Sequence, residues 1–164
     1  MQCRILLSAI CLASLASIAA ADGPLLTTFR IGPASPAGGP LGIAAGIDAQ
    51  LNSQDYSGKT KGDPLPIALS FDVVAHSRFT NFPALVNFRL DPPIVGSASL
   101  PVFCEFGLGG QLSAGKESGG PTLAYGASAG LFLNHDHSTS LEVRYYGSGN
   151  ARTNSIALLF GVRS

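Results

Sequence analysis

Eight stretches of this chain alternate apolar side chains with small or polar ones at a period of two. Successive side chains of an extended strand point to opposite faces, so such alternation marks a strand with two unlike faces. No window carries a convincing helical period, and no internal repeat of solenoid length recurs. Gly and Pro punctuate the chain at short intervals, at Gly38-Gly39-Pro40, Gly62-Asp63-Pro64, Asp91-Pro92-Pro93 and Gly119-Gly120-Pro121. Eight two-faced strands separated by turn residues constrain the fold more than any other feature here.

The first run, Leu25–Ile31, sets Leu25, Thr27, Phe29 and Ile31 against Leu26, Thr28 and Arg30. In the second, Leu41–Leu51, the apolar set Leu41, Ile43, Ala45, Ile47 and Leu51 opposes Gly42, Ala44, Gly46, Asp48 and Gln50. In the third, Leu65, Ile67, Leu69, Phe71 and Val73 oppose Ala68, Ser70, Asp72 and His76. The fourth opposes Ala84, Val86, Phe88 and Leu90 to Asn87, Arg89 and Asp91. The fifth sets Leu100, Val102, Cys104, Phe106, Leu108 and Leu112 against Ser99, Glu105, Gly107, Gly109, Gln111 and Ser113. In the sixth, Leu123, Tyr125, Ala127, Ala129, Leu131 and Leu133 face away from Gly126, Ser128 and Gly130. Leu141, Val143 and Tyr145 oppose Ser140, Glu142, Arg144, Tyr146 and Ser148 in the seventh. The eighth opposes Ile156, Leu158, Phe160 and Val162 to Ser155, Ala157, Gly161 and Arg163.

Alternation alone does not say which face meets water. A soluble sandwich buries its apolar face, whereas a membrane barrel turns that face to lipid and fills a narrow lumen with the polar one. The polar faces here are rich in Gly, Ser and Ala, with single charges of both signs: Arg30, Asp48, Asp72, Arg89, Glu105, Glu142 and Arg144. Small residues and paired ions suit a lumen. Charged residues make up only 12% of the chain, about half the usual share of a soluble domain. The run lengths also bracket the roughly 9–11 residues of a tilted spanning strand. These features predict an all-β fold, a single eight-stranded antiparallel up-and-down β-barrel of the outer-membrane type. Closure removes the edges that eight apolar strands would otherwise leave open.

Residues 1–21 are expected to be a signal peptide. Arg4 forms its positive start, Ile5 to Ile18 its apolar middle, and Ala19-Ala20-Ala21 its cleavage site. Cleavage after Ala21 leaves the barrel domain as residues 22–164 and removes Cys3 and Cys11. Cys104 then stands alone, so neither an intrachain disulfide nor a thiolate metal cluster is expected. The mature chain carries nine Lys and Arg against ten Asp and Glu, with no basic patch to suggest nucleic acid. Neither a phosphate loop nor a dinucleotide fingerprint is present, so no cofactor is expected. An even strand count places both ends on the periplasmic side. Asn134–His137 and the Asp91–Ser97 connection are then periplasmic turns, with Ala114–Pro121 and Gly149–Thr153 facing outward. Barrels of this kind often end on an aromatic residue, whereas this chain ends Val162-Arg163-Ser164.

Three segments carry a family resemblance: Pro101-Val102-Phe103-Cys104-Glu105-Phe106-Gly107-Leu108-Gly109-Gly110, Tyr125-Gly126-Ala127-Ser128-Ala129-Gly130-Leu131, and Leu141-Glu142-Val143-Arg144-Tyr145-Tyr146. Together with the final Leu159-Phe160-Gly161-Val162 they resemble the outer-membrane lipid A deacylases of the acyloxyacyl-hydrolase type, over Pro101 to Val162. The resemblance implies an ester-cleaving site at the outer end of the seventh strand and lipopolysaccharide as the partner. That family carries His-x-Ser at the end of this strand, with an acidic or amide partner on the next. Here the positions read Tyr146-Gly147-Ser148, followed by Asn150 and Asn154-Ser155.

Ser148 therefore stands in the nucleophile position and Tyr146 in that of the base. A serine hydroxyl is a weak nucleophile until a neighbouring base takes its proton, and a phenol with a pKa near 10 is a poor base at neutral pH. His76, inward near the outer end of the third run, is a candidate for a displaced base if closure brings it to Ser148. Glu142 and Arg144 read most simply as a lumen ion pair. His135-Asp136-His137 has the spacing of a metal-binding pair, but it lies in a turn with no third ligand, and no metal is expected. Cys104, on the apolar face, reads as a small hydrophobe. The functional expectation is an outer-membrane barrel resembling lipid A deacylases, non-catalytic, with a structural or lipid-interacting role. The alternatives are a lipid A deacylase with a rearranged site around Ser148, and a soluble periplasmic β-barrel that binds a small apolar ligand.

Overall fold

Eight antiparallel strands follow one another in chain order: β1 (Leu25–Pro36), β2 (Gly42–Gln54), β3 (Thr60–Ala75), β4 (Phe79–Leu90), β5 (Val102–Gly115), β6 (Thr122–Phe132), β7 (Thr139–Ser148) and β8 (Ser155–Arg163). Each pairs with its sequence neighbours and β8 pairs with β1, so the sheet is a closed barrel. The computed structural model describes residues 25–36, 39–54, 60–90, 102–115, 120–134 and 137–163. The expected signal peptide, the Asp91–Ser97 connection, and His135 and Asp136 lie outside them. Thr28 at the start of β1 pairs with Arg163 at the end of β8. That terminal end also holds the β6–β7 turn. The opposite, hairpin end holds the turns after β3 and β7.

The expected two faces are present on every strand. Burial alternates residue by residue along β8, with Ile156, Leu158, Phe160 and Val162 exposed and Ser155, Ala157, Leu159 and Gly161 buried. In β5 the exposed set is Val102, Cys104, Phe106 and Leu108, against buried Phe103, Glu105 and Gly107. Thr27 and Ala45, outward by register, are nonetheless buried. The inward faces also carry apolar residues, Val74, Leu85, Phe103, Phe132 and Leu159, which fill the barrel along with the polar ones.

Several strands are longer than the Gly and Pro punctuation suggests. Gly62-Asp63-Pro64 lies inside β3, where the β2–β3 register shifts between Gln50 and Asn52 and Pro64 pairs with Asn52. A bulge absorbs residues that an unbroken ladder would exclude. β4 begins at Phe79 rather than Ala84 and runs through Pro83. Pro83 has no N–H to donate, and the β3–β4 ladder skips from Phe71↔Ala84 to Val74↔Asn81 beside it. The β4–β5 ladder keeps its register past Pro83, which pairs with Gln111.

Of the expected β6–β7 turn the described residues are Asn134 and His137, whose N–H donates to the Asn134 carbonyl at 3.2 Å. Asn134 Oδ1 accepts from the Thr139 N–H at 3.0 Å, and His137 adopts φ 57°. Asparagine side chains close turns in this way, and the left-handed region belongs to such positions.

Candidate functional site

An ionic layer occupies the middle of the lumen. Arg30 of β1, Asp48 of β2, Asp72 of β3, Arg89 of β4, Glu105 of β5, and Glu142 and Arg144 of β7 are all buried. These are the seven charges that the sequence assigns to the lumen; of the other two on inward phases, Arg163 lies at the terminal end over Phe132 and Asp91 is outside the described residues. Arg30 bonds Asp48 and, at 3.0 Å, Asp72, and lies 3.5 Å from Glu142 and 3.9 Å from Glu105. Arg144 bonds Glu105 and Glu142, the latter at 2.6 Å, and lies 3.6 Å from Asp72 and 3.8 Å from Asp48. The expected Glu142–Arg144 pair is therefore one edge of a larger network. Arg89 bonds Glu105 at 2.8 Å while its guanidinium covers the Phe103 ring at 4.0 Å. Gly46 makes room for this layer, because a Cβ there would stand 1.7 Å from Asp72 Oδ1.

Above the ions, toward the hairpin end, Ala34, Ala44, Val74, Tyr146, Ala157 and Leu159 form an apolar cluster. Tyr146 is buried there, and its hydroxyl makes no hydrogen bond among the described residues. β7 thus places Tyr146 and Ser148 on one inward face, two residues apart, and sends the first into an apolar layer.

Ser148 lies at the mouth. Its hydroxyl is 2.8 Å from Thr153 Oγ1 and 2.9 Å from the Asn150 carbonyl, and it accepts from the Asn150 N–H at 3.2 Å. The Ser148 N–H donates to Asn154 Oδ1 at 3.0 Å, and Asn154 Nδ2 donates to the Tyr145 hydroxyl at 2.8 Å. These bonds belong to the β7–β8 loop, whose single 3₁₀ turn spans Ala151–Thr153 and is capped by Asn150. The loop folds inward. Thr153 is buried, accepting from Asn81 Nδ2 of β4 through its carbonyl at 2.8 Å and from Gln111 Nε2 of β5 through its hydroxyl at 3.2 Å.

His76, directly after β3, pairs with Ser155 instead of Ser148: its Nε2 is 3.1 Å from the Ser155 hydroxyl. The imidazole meets the Phe79 ring edge-on at 4.7 Å, and its buried Nδ1 makes no hydrogen bond among the described residues. Burial pushes the His76 imidazole below its ordinary value, because desolvation disfavours the cation. Closure thus brings Ser148 to Thr153 and Asn150, and His76 to Ser155, as two separate groups. Ser155 is itself buried at the start of β8.

At the terminal end, Phe132 stacks on His137 at 4.1 Å with Arg163 over the same ring at 5.0 Å. The one described histidine of the His135–His137 pair is thus engaged with an aromatic ring. Among the described residues no group of three or more His, Cys, Asp or Glu is arranged to hold a metal. Sequence reasoning passed over Thr153, Asn81 and Ser155 as functional positions. The inward phase of β4 and β8 marks Asn81 and Ser155, whereas nothing periodic marks Thr153.

A closed antiparallel barrel of eight two-faced strands, apolar outside and ion-filled inside, is the build of an outer-membrane-type β-barrel. Among solved structures, this chain resembles the backbone of the Yersinia pestis outer membrane protein Ail in a phospholipid bilayer nanodisc. The TM-score is 0.54 at 13% sequence identity, covering 85% of this chain and 99% of that one, a likeness of fold. No family model and no curated protein matches the sequence.

Proposed function

We propose that this chain resides in the outer membrane with its apolar wall against lipid, in a structural or lipid-interacting role without catalysis at Ser148. One observation carries the reading: large apolar side chains stand exposed on all eight strands. Ile31, Ile43, Phe71, Phe88, Phe106, Leu131, Val143 and Phe160, one from each strand in order, are between 41% and 57% exposed. Soluble monomers rarely show contiguous apolar patches beyond a few hundred Å², so a wall of this kind calls for lipid. The soluble ligand-binding alternative loses support from the inside as well, since ions and apolar side chains fill the lumen where a ligand would sit.

The resemblance to lipid A deacylases is, in this reading, one of scaffold and membrane, with lipopolysaccharide as the surrounding lipid. Ser148 satisfies a turn, and the position of the family's base holds a phenol sunk in an apolar layer. Membranes carrying the protein test both halves together. Carbonate and urea washes are expected to leave it in the pellet, and the lipid A of those membranes is expected to keep all its acyl chains by mass spectrometry. Extraction by the washes overturns the membrane assignment. An acyl chain released by the wild type but not by Ser148→Ala overturns the non-catalytic one.

A further inference from the structure

We infer that this barrel conducts neither ions nor small solutes, because two seals in series close its lumen. The inference rests on the membrane-spanning reading and goes beyond it, since a spanning barrel serves equally as a pore or as a solid post. An eight-stranded barrel has an interior just wide enough for side chains to fill.

The first seal is ionic. In a ring of eight, β1 faces β5 and β3 faces β7. Arg30 of β1 approaches Glu105 of β5 at 3.9 Å, and Arg144 of β7 approaches Asp72 of β3 at 3.6 Å. The two guanidiniums therefore cross the lumen along two different diameters. The side chains in these contacts are at most 4% exposed. An ion moving through must separate buried charge pairs, and separating such a pair leaves an uncompensated charge in a low-dielectric interior.

The second seal is a hydrogen-bonded stopper at the hairpin end. Thr153 enters the mouth from the β7–β8 loop and is held from three walls, by Asn81 of β4, Gln111 of β5 and Ser148 of β7. His76 adds a link from the β3–β4 turn to Ser155 of β8. Between the seals lies the apolar cluster around Tyr146 and Leu159. The seals share no residue, so the loss of one leaves the other standing.

The experiment uses the signal-free full chain in phosphatidylcholine–phosphatidylglycerol vesicles loaded with K⁺, with insertion established separately by co-flotation and resistance to carbonate. Wild type, Thr153→Gly, and the pair Arg30→Ala with Arg144→Ala are each expected to hold the K⁺ gradient as protein-free vesicles do. Combining all three substitutions is expected to abolish the gradient. An inserted wild type that dissipates the gradient overturns the inference, and the wild-type and Thr153→Gly arms decide it even where the arginine variants do not fold. An inserted triple variant that stays tight overturns the assignment of closure to these two seals. Failure of the wild type to co-float overturns the membrane reading and this inference with it.

Discussion

Arg144 lies within 3.8 Å of the carboxylates of Asp48, Asp72, Glu105 and Glu142. Replacing it with leucine strands those carboxylates opposite Arg30 and Arg89 alone. Breaking a buried pair by removing one partner costs about 3–5 kcal/mol, so Arg144→Leu is expected to lower the thermal midpoint of the folded barrel steeply. Arg152→Gln, at an exposed site, is expected to stay within about 0.5 kcal/mol of wild type. Gel-shift melting of the two variants in one detergent checks the contrast.

His76 offers a second residue-scale test. Its folded imidazole titrates below the ordinary value because burial disfavours the cation. The unfolded chain then binds the proton first, and stability rises with pH across that window and falls as pH drops through it. The wild-type curve of stability against pH is expected to be steeper between the folded and ordinary imidazole values than that of His76→Gln. Equal slopes in paired melts would remove the desolvated imidazole from the account. At this scale the ion layer was legible, because each of its seven charges falls on the inward phase of a run, Glu142 and Arg144 on the same one. The stopper was not. A loop that turns inward over three residues leaves no alternation, and Thr153 resembles any turn residue until Asn81 and Gln111 are seen to reach it.

Strand facing was equally legible at the scale of the element, because a period of two cannot be shifted by one residue without exposing every inward charge. Boundaries were less so. Proline reads as an end in a linear pattern, yet Pro83 sits within β4 at a gap in one ladder and in register with the other. Pro33 does the same in β1, where the pairing with β8 skips from Ile31↔Phe160 to Ala34↔Ala157. Leu69→Arg, Leu108→Arg and Leu131→Arg each put a cation on the lipid side, at roughly 2–4 kcal/mol near the bilayer midplane. These variants are expected to assemble far less well than Ser128→Ala, which only trims a lumen side chain. The yield of heat-modifiable folded protein is the measurement, and equal yields would reverse the two faces.

At the scale of the whole molecule, closure depends on the longest-range contacts in the chain. Thr28 meets Arg163 and Pro36 meets Ser155, so β1 waits for β8 before its second ladder exists. Contacts of such sequence separation form slowly, because loop closure must precede any gain from them. The β1–β8 seam also brings the start of β1 and the end of β8 together at one end of the barrel, so the wall has no natural starting point. A circular permutant that joins residue 163 to residue 25 through a short flexible linker, and is reopened between β5 and β6, keeps all eight ladders. Permutation succeeds where the cut falls in an exposed connection and the original ends are close. Such a permutant is expected to refold to the same heat-modifiable barrel. Its eight strands would then be written in the order β6-β7-β8-β1-β2-β3-β4-β5, the same ring read from another point.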